Sequence, residues 1–302
     1  MALYDFFLKR SWSAVGVRTL FRAGLHARSI WFSLRWLVGA LASGRASSPG
    51  RAFDRNRVRK ILILRTDRIG DIILSTPALT ALRQAYPESE IHVLVRQSVA
   101  HLLNCYPGWD RVRTIPPSPS RAEIRRIGKQ LRDENYDVAI VQHPAGIAYR
   151  LASASGAPVR IGWNAKGYGY LLTHGMMDDR AAVDTHQVEN NARLLEALGV
   201  TGPPPPFNVQ TTASGASQAD AFAQGCGFGP DDRVFAIHPA SYAPRVRWMP
   251  ERFASVADRA AREGYRVVLL GSGGDRAVVE SVHNLCDTEP DLAIDTFDLE
   301  GL

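Results

Sequence analysis

The residues that could do chemistry in this chain sit mostly where apolar runs give way to polar loops. In KILILRTDRIGDIILSTPAL (Lys60 to Leu79), Asp71 directly follows Gly70 at the junction between a short apolar run and a helical pattern. Gly70 lets the backbone come close to a bound molecule, and Asp71 would present a carboxylate there to accept hydrogen bonds. The competing reading is that Asp71 caps the helix, since Asp suits both the N-cap and the positive end of the helix dipole. His143, just past the apolar run YDVAIVQ, has the same pair of readings, a contact with a bound molecule or a structural role. His186 and Glu189 lie one helical turn apart, but a zinc site needs three or four ligands. Cys105, Cys226 and Cys286 lack CxxC or CxxH spacing and read as small buried hydrophobes of a reducing cytosol.

These residues need elements to position them, and the patterning supplies a doubly wound α/β arrangement. Ile61 to Leu64 is a continuous apolar run of strand length, as expected of a parallel strand covered on both faces. Apolar residues then recur at helical spacing from Ile72 to Leu82, and Tyr86 to Glu88 ends the helix. Strands are predicted at Glu90–Val95, Val112–Pro116 and Tyr136–Gln142, with helices between them. In such sheets ligands bind outside the carboxyl ends of the strands, where Arg65 to Asp71 falls. The basic helix RAEIRRIGKQLRDEN reads as solvent-facing. GPPPP (Gly202 to Pro206) reads as a stiff boundary, so a first domain spans residues 58–201 and a second 202–302. The second repeats the logic: VFAIHPAS is a strand entering a loop, PERFASVADRAAREG a helix, and YRVVLLGSGGD a strand with a glycine turn containing Gly271 and Asp275.

The net charge of +6 is unevenly distributed. Residues 1–60 hold 12 Lys and Arg against Asp5 and Asp54, a surplus of 10, which leaves 24 basic against 28 acidic residues in 61–302. The folded body is therefore slightly acidic, which argues against a nucleic-acid groove, and no nucleic-acid-binding motif appears. Residues 1–44 form a basic, aromatic segment, with Ile30, Leu34, Leu37, Val38 and Leu41 on one helical face. Arg35 interrupts the apolar run, which is shorter than the roughly 20 residues of a membrane span. An interfacial helix on an anionic membrane face fits it, and so does a solvated start of the chain. Residues 43–57 read as a flexible linker, so 1–57 is a segment apart.

The string TDRIGDIILSTPALTALRQAYPESEIHVLV resembles the opening of the ADP-heptose:lipopolysaccharide heptosyltransferase family, glycosyltransferase family 9, and the likeness continues through VRIGWNAKGYGYLLTH and DTHQVENNARLLEALGV. The resemblance implies a GT-B fold, two Rossmann-like domains facing each other across a cleft, in a cytoplasmic enzyme at the inner face of the inner membrane. It implies inverting transfer of a heptose or related sugar from an ADP-sugar to a lipid-linked cell-envelope saccharide, with Asp71 as general base. Arg65 would hold an acidic group of the acceptor by a bidentate contact, beside Gly70 and His143. Ser241 would contact the donor diphosphate with Arg245 or Arg247. Asp275, in the Gly271 turn, would receive the ribose or, alternatively, cap the following helix. No metal and no cofactor beyond the sugar donor is required by this scheme.

Two departures stand against the resemblance. Many members carry a cation two residues before the Trp of a "WP" motif, whereas RVRWMP places Val246 there and splits Trp248 from Pro250 with Met249. The chain also ends at DLEGL, before the "DTGPMH"-type segment of the family, so an incomplete second domain is expected. A non-catalytic, membrane-associated interaction protein derived from the family is the alternative. A Rossmann oxidoreductase is disfavoured, because the first turn lacks GxGxxG and HVLVRQ puts no acidic residue at the second strand end.

Overall fold

The computed structural model describes residues 54–180, 185–241 and 243–298, together with Val38. The basic segment 1–44 therefore lies, apart from Val38, outside the described residues. The chain divides into two compact units. One comprises the chain through Ala100 together with Pro107–Asn208, the other His101–Tyr106 together with Val209–Leu302. The break falls at 208/209, a few residues beyond the proline run. The Gln210 amide donates to the Cys105 carbonyl at 2.7 Å, which ties the inserted 101–106 segment to the second unit.

The first unit is a six-stranded, all-parallel sheet in the order β3-β2-β1-β4-β5-β6. Its strands are β1 (Lys60–Leu64), β2 (Glu90–Arg96), β3 (Arg111–Ile115), β4 (Val138–Val141), β5 (Val159–Trp163) and β6 (His174–Met176). Ile61 to Leu64 and all of β4 are buried, as their unbroken apolar runs require of strands covered on both faces. One face packs on α3 (Arg121–Asp133) and α4 (Gly146–Ala154), through Leu62, Leu64, Ala139, Val141, Leu131 and Tyr149. The helices α1 (Ile69–Ile73), α2 (Thr76–Ala85) and α5 (Gln187–Arg193) complete the unit. The basic helix α3 opens with a capping box between Ser120 and Glu123 and buries only Ile127, Gly128 and Leu131, so its charges do face solvent. The segment expected as a helix after β2 is a 3-10 stretch, Gln97–Cys105.

The second unit holds a three-stranded parallel sheet, β7-β8-β9, formed by Arg233–Ile237, Tyr265–Gly271 and Asp291–Ile294. Helices α7 (Pro250–Arg262) and α8 (Arg276–His283) pack on it through Ala254, Ala257, Val267, Leu269, Val279 and Val282; α6 spans Ala213–Gly225. Pro250 occupies the first turn of α7, where its missing N–H costs nothing, and Met249 is the N-cap. Met249 thus enters between Trp248 and the helix start, and Trp248 packs edge-on against Phe253 at 5.3 Å.

Candidate active site at the strand ends

In the first unit the strand order reverses between β1 and β4, which makes their carboxyl ends the topological switch point where open α/β sheets bind ligands. The loops leaving these two strands carry Arg65 to Asp71 and Gln142 to His143, so the sheet brings His143 near Arg65 and Asp71, which lie far earlier in the sequence. The backbone amides of Gln142 and His143 both donate to the Leu64 carbonyl.

Asp71 does not cap a helix. The N-cap of α1 is Arg68, which makes no side-chain cap bond, and Asp71 sits in the first turn. Its backbone carbonyl accepts from Arg65 Nε at 3.1 Å and from the Ser75 hydroxyl at 2.8 Å, so the residue is fixed by its main chain. Its side chain stays 38% exposed, enough to meet a bound molecule. Gly70 beside it is exposed, and an added Cβ would meet nothing within 4 Å. The backbone next to the carboxylate is open to close approach.

Arg65 is placed differently from its sequence expectation. The bidentate contact with an acidic ligand requires a free guanidinium edge, and this one is buried with internal partners at each nitrogen. Nε lies 3.1 Å from Asp67 Oδ1, Nη2 3.5 Å from Asp71 Oδ1, and Nη1 donates to Asn191 Oδ1 at 3.3 Å. In this arrangement Arg65 braces the loop. Asn191, on α5, also accepts from Gln187 and donates to the Leu74 carbonyl at 2.8 Å, locking α1 to α5.

His143 Nδ1 pairs with the Thr66 hydroxyl at 3.1 Å. Burial, with the positive charges of Arg65 and Lys166, pushes its pKa down to about 4, so the ring is neutral near pH 7. Arg96, at the end of β2, donates from Nε to the Thr66 carbonyl at 2.6 Å. Two residues that sequence reasoning passed over belong here. Asp67 has its pKa pushed up to about 6, chiefly by burial and against the pull of Arg65. The buried side-chain amide of Gln142 makes no hydrogen bond among the described residues. Asp67 was legible only as the first acid of TDRIGD, and Gln142 had no signal beyond ending a strand.

In the second unit the ends of β7 and β8 bring His238, Ser241, Arg247 and Asp275 into one neighbourhood. Asp275 accepts from the Ser272 hydroxyl at 2.5 Å and the Ser272 amide at 3.2 Å, which holds its carboxyl below the usual range. His238 Nε2 lies 3.9 Å from the same oxygen. As the N-cap residue of α8 Asp275 makes no side-chain cap bond, but its carboxylate accepts from the Ser272 amide and closes a capping box on the 3-10 turn Gly273–Asp275 that leads into α8, so the structure supports the capping reading of this residue. Arg247 Nε donates to the Ser241 carbonyl at 2.9 Å and fixes that loop, while Arg245 is exposed on the 3-10 turn Pro244–Val246. Gly271 is a packing glycine, since an added Cβ would lie 2.7 Å from Val279 Cγ2. No group of three or more His, Cys, Asp or Glu among the described residues is arranged to hold a metal ion. His186 instead caps α5, accepting from the Val188 amide.

Both units are all-parallel α/β sheets with polar clusters at their strand ends, and the chain shares the fold of the GT-B heptosyltransferases. A glycosyltransferase family 9 structure from Veillonella parvula superposes with a TM-score of 0.74 at 26% identity, covering 80% of this chain and 71% of that one. The Escherichia coli ADP-heptose lipopolysaccharide heptosyltransferase II gives 0.66 at 22% identity, over 80% and 74%. The chain belongs to glycosyltransferase family 9 (heptosyltransferase), whose family model matches residues 124–296. Among curated proteins it is 27% identical over 242 residues to lipopolysaccharide heptosyltransferase 3 of Escherichia coli, an alignment covering 73% of this chain and 66% of the relative. The chain thus spans about two thirds of the length of the curated relatives it matches.

Proposed function

We propose that this protein is an inverting glycosyltransferase of lipopolysaccharide-type saccharide assembly, using an ADP-activated heptose as donor and a lipid-linked saccharide as acceptor. The observation that carries the reading is Asp71, whose main chain is pinned by Arg65 and Ser75 at the switch point while its carboxylate stays open. In the reaction Asp71 takes the proton of an acceptor hydroxyl, and the oxygen attacks the anomeric carbon from the face opposite the diphosphate. The glycosidic bond to the diphosphate breaks and ADP leaves with the electron pair. Asp275, with its two Ser272 hydrogen bonds, has the character of a ribose-binding carboxylate. Ser241 and the Arg245–Arg247 turn supply hydroxyl and positive charge for the diphosphate, a role helped by helix N-termini. Gly70 and His143 border the acceptor, and residues 1–44 serve as a basic tether to the membrane surface on the cytoplasmic side.

The test is Asp71→Asn, assayed by ADP release from ADP-heptose in the presence of a lipopolysaccharide-type acceptor. Turnover is expected to fall at least a thousandfold, roughly the upper part of what general base catalysis contributes, with ADP affinity unchanged by calorimetry. Normal turnover would remove Asp71 from the mechanism.

One observation favours a second reading, a membrane-associated interaction protein that no longer processes a donor. Val246 is 65% exposed at the position where a cation would offset leaving-group charge, and Arg247 is engaged with the Ser241 carbonyl. Calorimetric titration of ADP separates the readings, because the enzyme requires binding and the interaction protein does not.

A further inference from the structure

The junction of β1 and α1 carries two carboxylates, Asp67 in the loop and Asp71 in the first turn of α1, facing one buried cation, Arg65. Arg65 Nε lies 3.1 Å from Asp67 Oδ1, whereas its Nη2 is 3.5 Å from Asp71 Oδ1, longer than the 2.7–2.9 Å of a formed charge-assisted hydrogen bond. Nε also donates to the Asp71 carbonyl and Nη1 to Asn191, so Nη2 is the nitrogen left to face the Asp71 carboxylate. Asp67 Oδ1 is fully covered, yet no donor reaches it in hydrogen-bonding geometry among the described residues. A carboxylate kept there at the cost of burial acts through its charge on Arg65.

We propose that Asp67 is a positioning residue that shares Arg65 with Asp71 and so keeps the guanidinium from closing onto the Asp71 carboxylate, which stays open to an acceptor hydroxyl. The proposal rests on the reading of Asp71 as the base. The charged and titratable groups around Asp67 are Arg65 at the end of β1, Asp71 on α1 and Arg96 at the end of β2. His143 lies beyond β4, facing Thr66, and Arg180, beyond β6, bears on Arg65. His143 is uncharged above about pH 4, so among these groups Asp67 is the one that changes charge near pH 6. Below that pH it takes up a proton, its attraction for Arg65 drops, and the guanidinium is left to Asp71.

The experiment follows the Arg65 Nε resonance by NMR as pH is varied, in the wild-type protein, Asp67→Asn and Asp67→Glu, alongside kcat/KM profiles with ADP-heptose and acceptor. The wild-type resonance is expected to move with a midpoint near pH 6. Wild-type kcat/KM is expected to fall by about tenfold across the same interval, one step of transition-state stabilisation lost with the open carboxylate. Asp67→Asn should show neither transition and should remain at the low activity level throughout, while Asp67→Glu should restore both. A resonance that does not titrate in the wild type overturns the proposal without any variant, and so does an Asp67→Asn profile that keeps the limb near pH 6. The failure of the parent reading looks different: Asp71→Asn would turn over normally while the Arg65 resonance still followed Asp67.

Discussion

At the scale of single residues, the two groups with the largest shifts at the switch point pull stability in opposite directions with pH. Asp67, raised to about 6, binds a proton more readily folded than unfolded. Its contribution is therefore greatest below the unfolded value near 3.8 and is lost as pH rises through 6. His143, lowered to about 4, contributes fully above the unfolded value of 6.5, and that contribution disappears as pH falls through 4. Asp67→Asn should accordingly raise stability to denaturant at pH 8, by about 1–2 kcal/mol after discounting for partial solvent screening. The gain should vanish at pH 3.5, where the wild-type carboxyl is already neutral. Equal stabilities at pH 8 would mean that burial does not burden this carboxylate. Gain of stability with loss of open-carboxylate chemistry is the trade expected when a buried charge is kept for function.

At the scale of elements, the loop is held by helices as much as by its own sequence. Asn191 on α5 is buried, and its amide joins Arg65, Gln187 and the Leu74 carbonyl. Truncation to Ala leaves a buried guanidinium N–H and a carbonyl without partners, for a cost of about 2–4 kcal/mol. Asn191→Ala should thus lower Tm by several degrees, and it should lower turnover further than its stability loss explains, because Arg65 loses its anchor. A second case sets propensity against packing. Replacing Gly128 by Ala would gain up to about 1 kcal/mol of helix propensity. The new Cβ would, however, lie 2.8 Å from the Ala154 Cβ at the crossing of α3 and α4, a main-chain-anchored neighbour that cannot swing aside. Separating the helices costs about 1–3 kcal/mol, so Gly128→Ala should be destabilising in chemical denaturation, and a stabilised variant would show that the helices part without loss.

At the scale of the whole molecule, two compact units with separate cores predict unfolding that is not a single two-state step. Differential scanning calorimetry should resolve a transition that Gly128→Ala lowers and a second that it leaves in place. Saturating ADP should raise the second by a few degrees, as a ligand stabilises the unit that binds it. A shift confined to the transition sensitive to Gly128→Ala would move the donor site to the first unit. Among the described residues no helix is long and apolar enough to cross a membrane, so a tether through residues 1–44 is best tested by vesicle flotation with and without that segment.

Much of this was legible in the amino-acid order. The unbroken apolar runs of β1 and β4 and the helix ending at Tyr86 follow from local sterics and burial, which act over a few residues and leave a readable period. The Gly70–Asp71 pair after the first strand was visible for the same reason, whereas the family model matches residues 124–296, downstream of that pair. The partners of these residues were not legible. That Arg65 is spent on Asp67, Asp71 and Asn191 depends on α5 returning to the loop 126 residues later in the chain, and that His143 meets Thr66 depends on β4 lying beside β1. Likewise, only packing against Val279 shows that Gly271 serves the core. Residue type and local pattern fix which groups lie at the strand ends. Which of them remain open to a ligand is decided by long-range closure of the sheet, because a buried charge must find its partners wherever the fold places them.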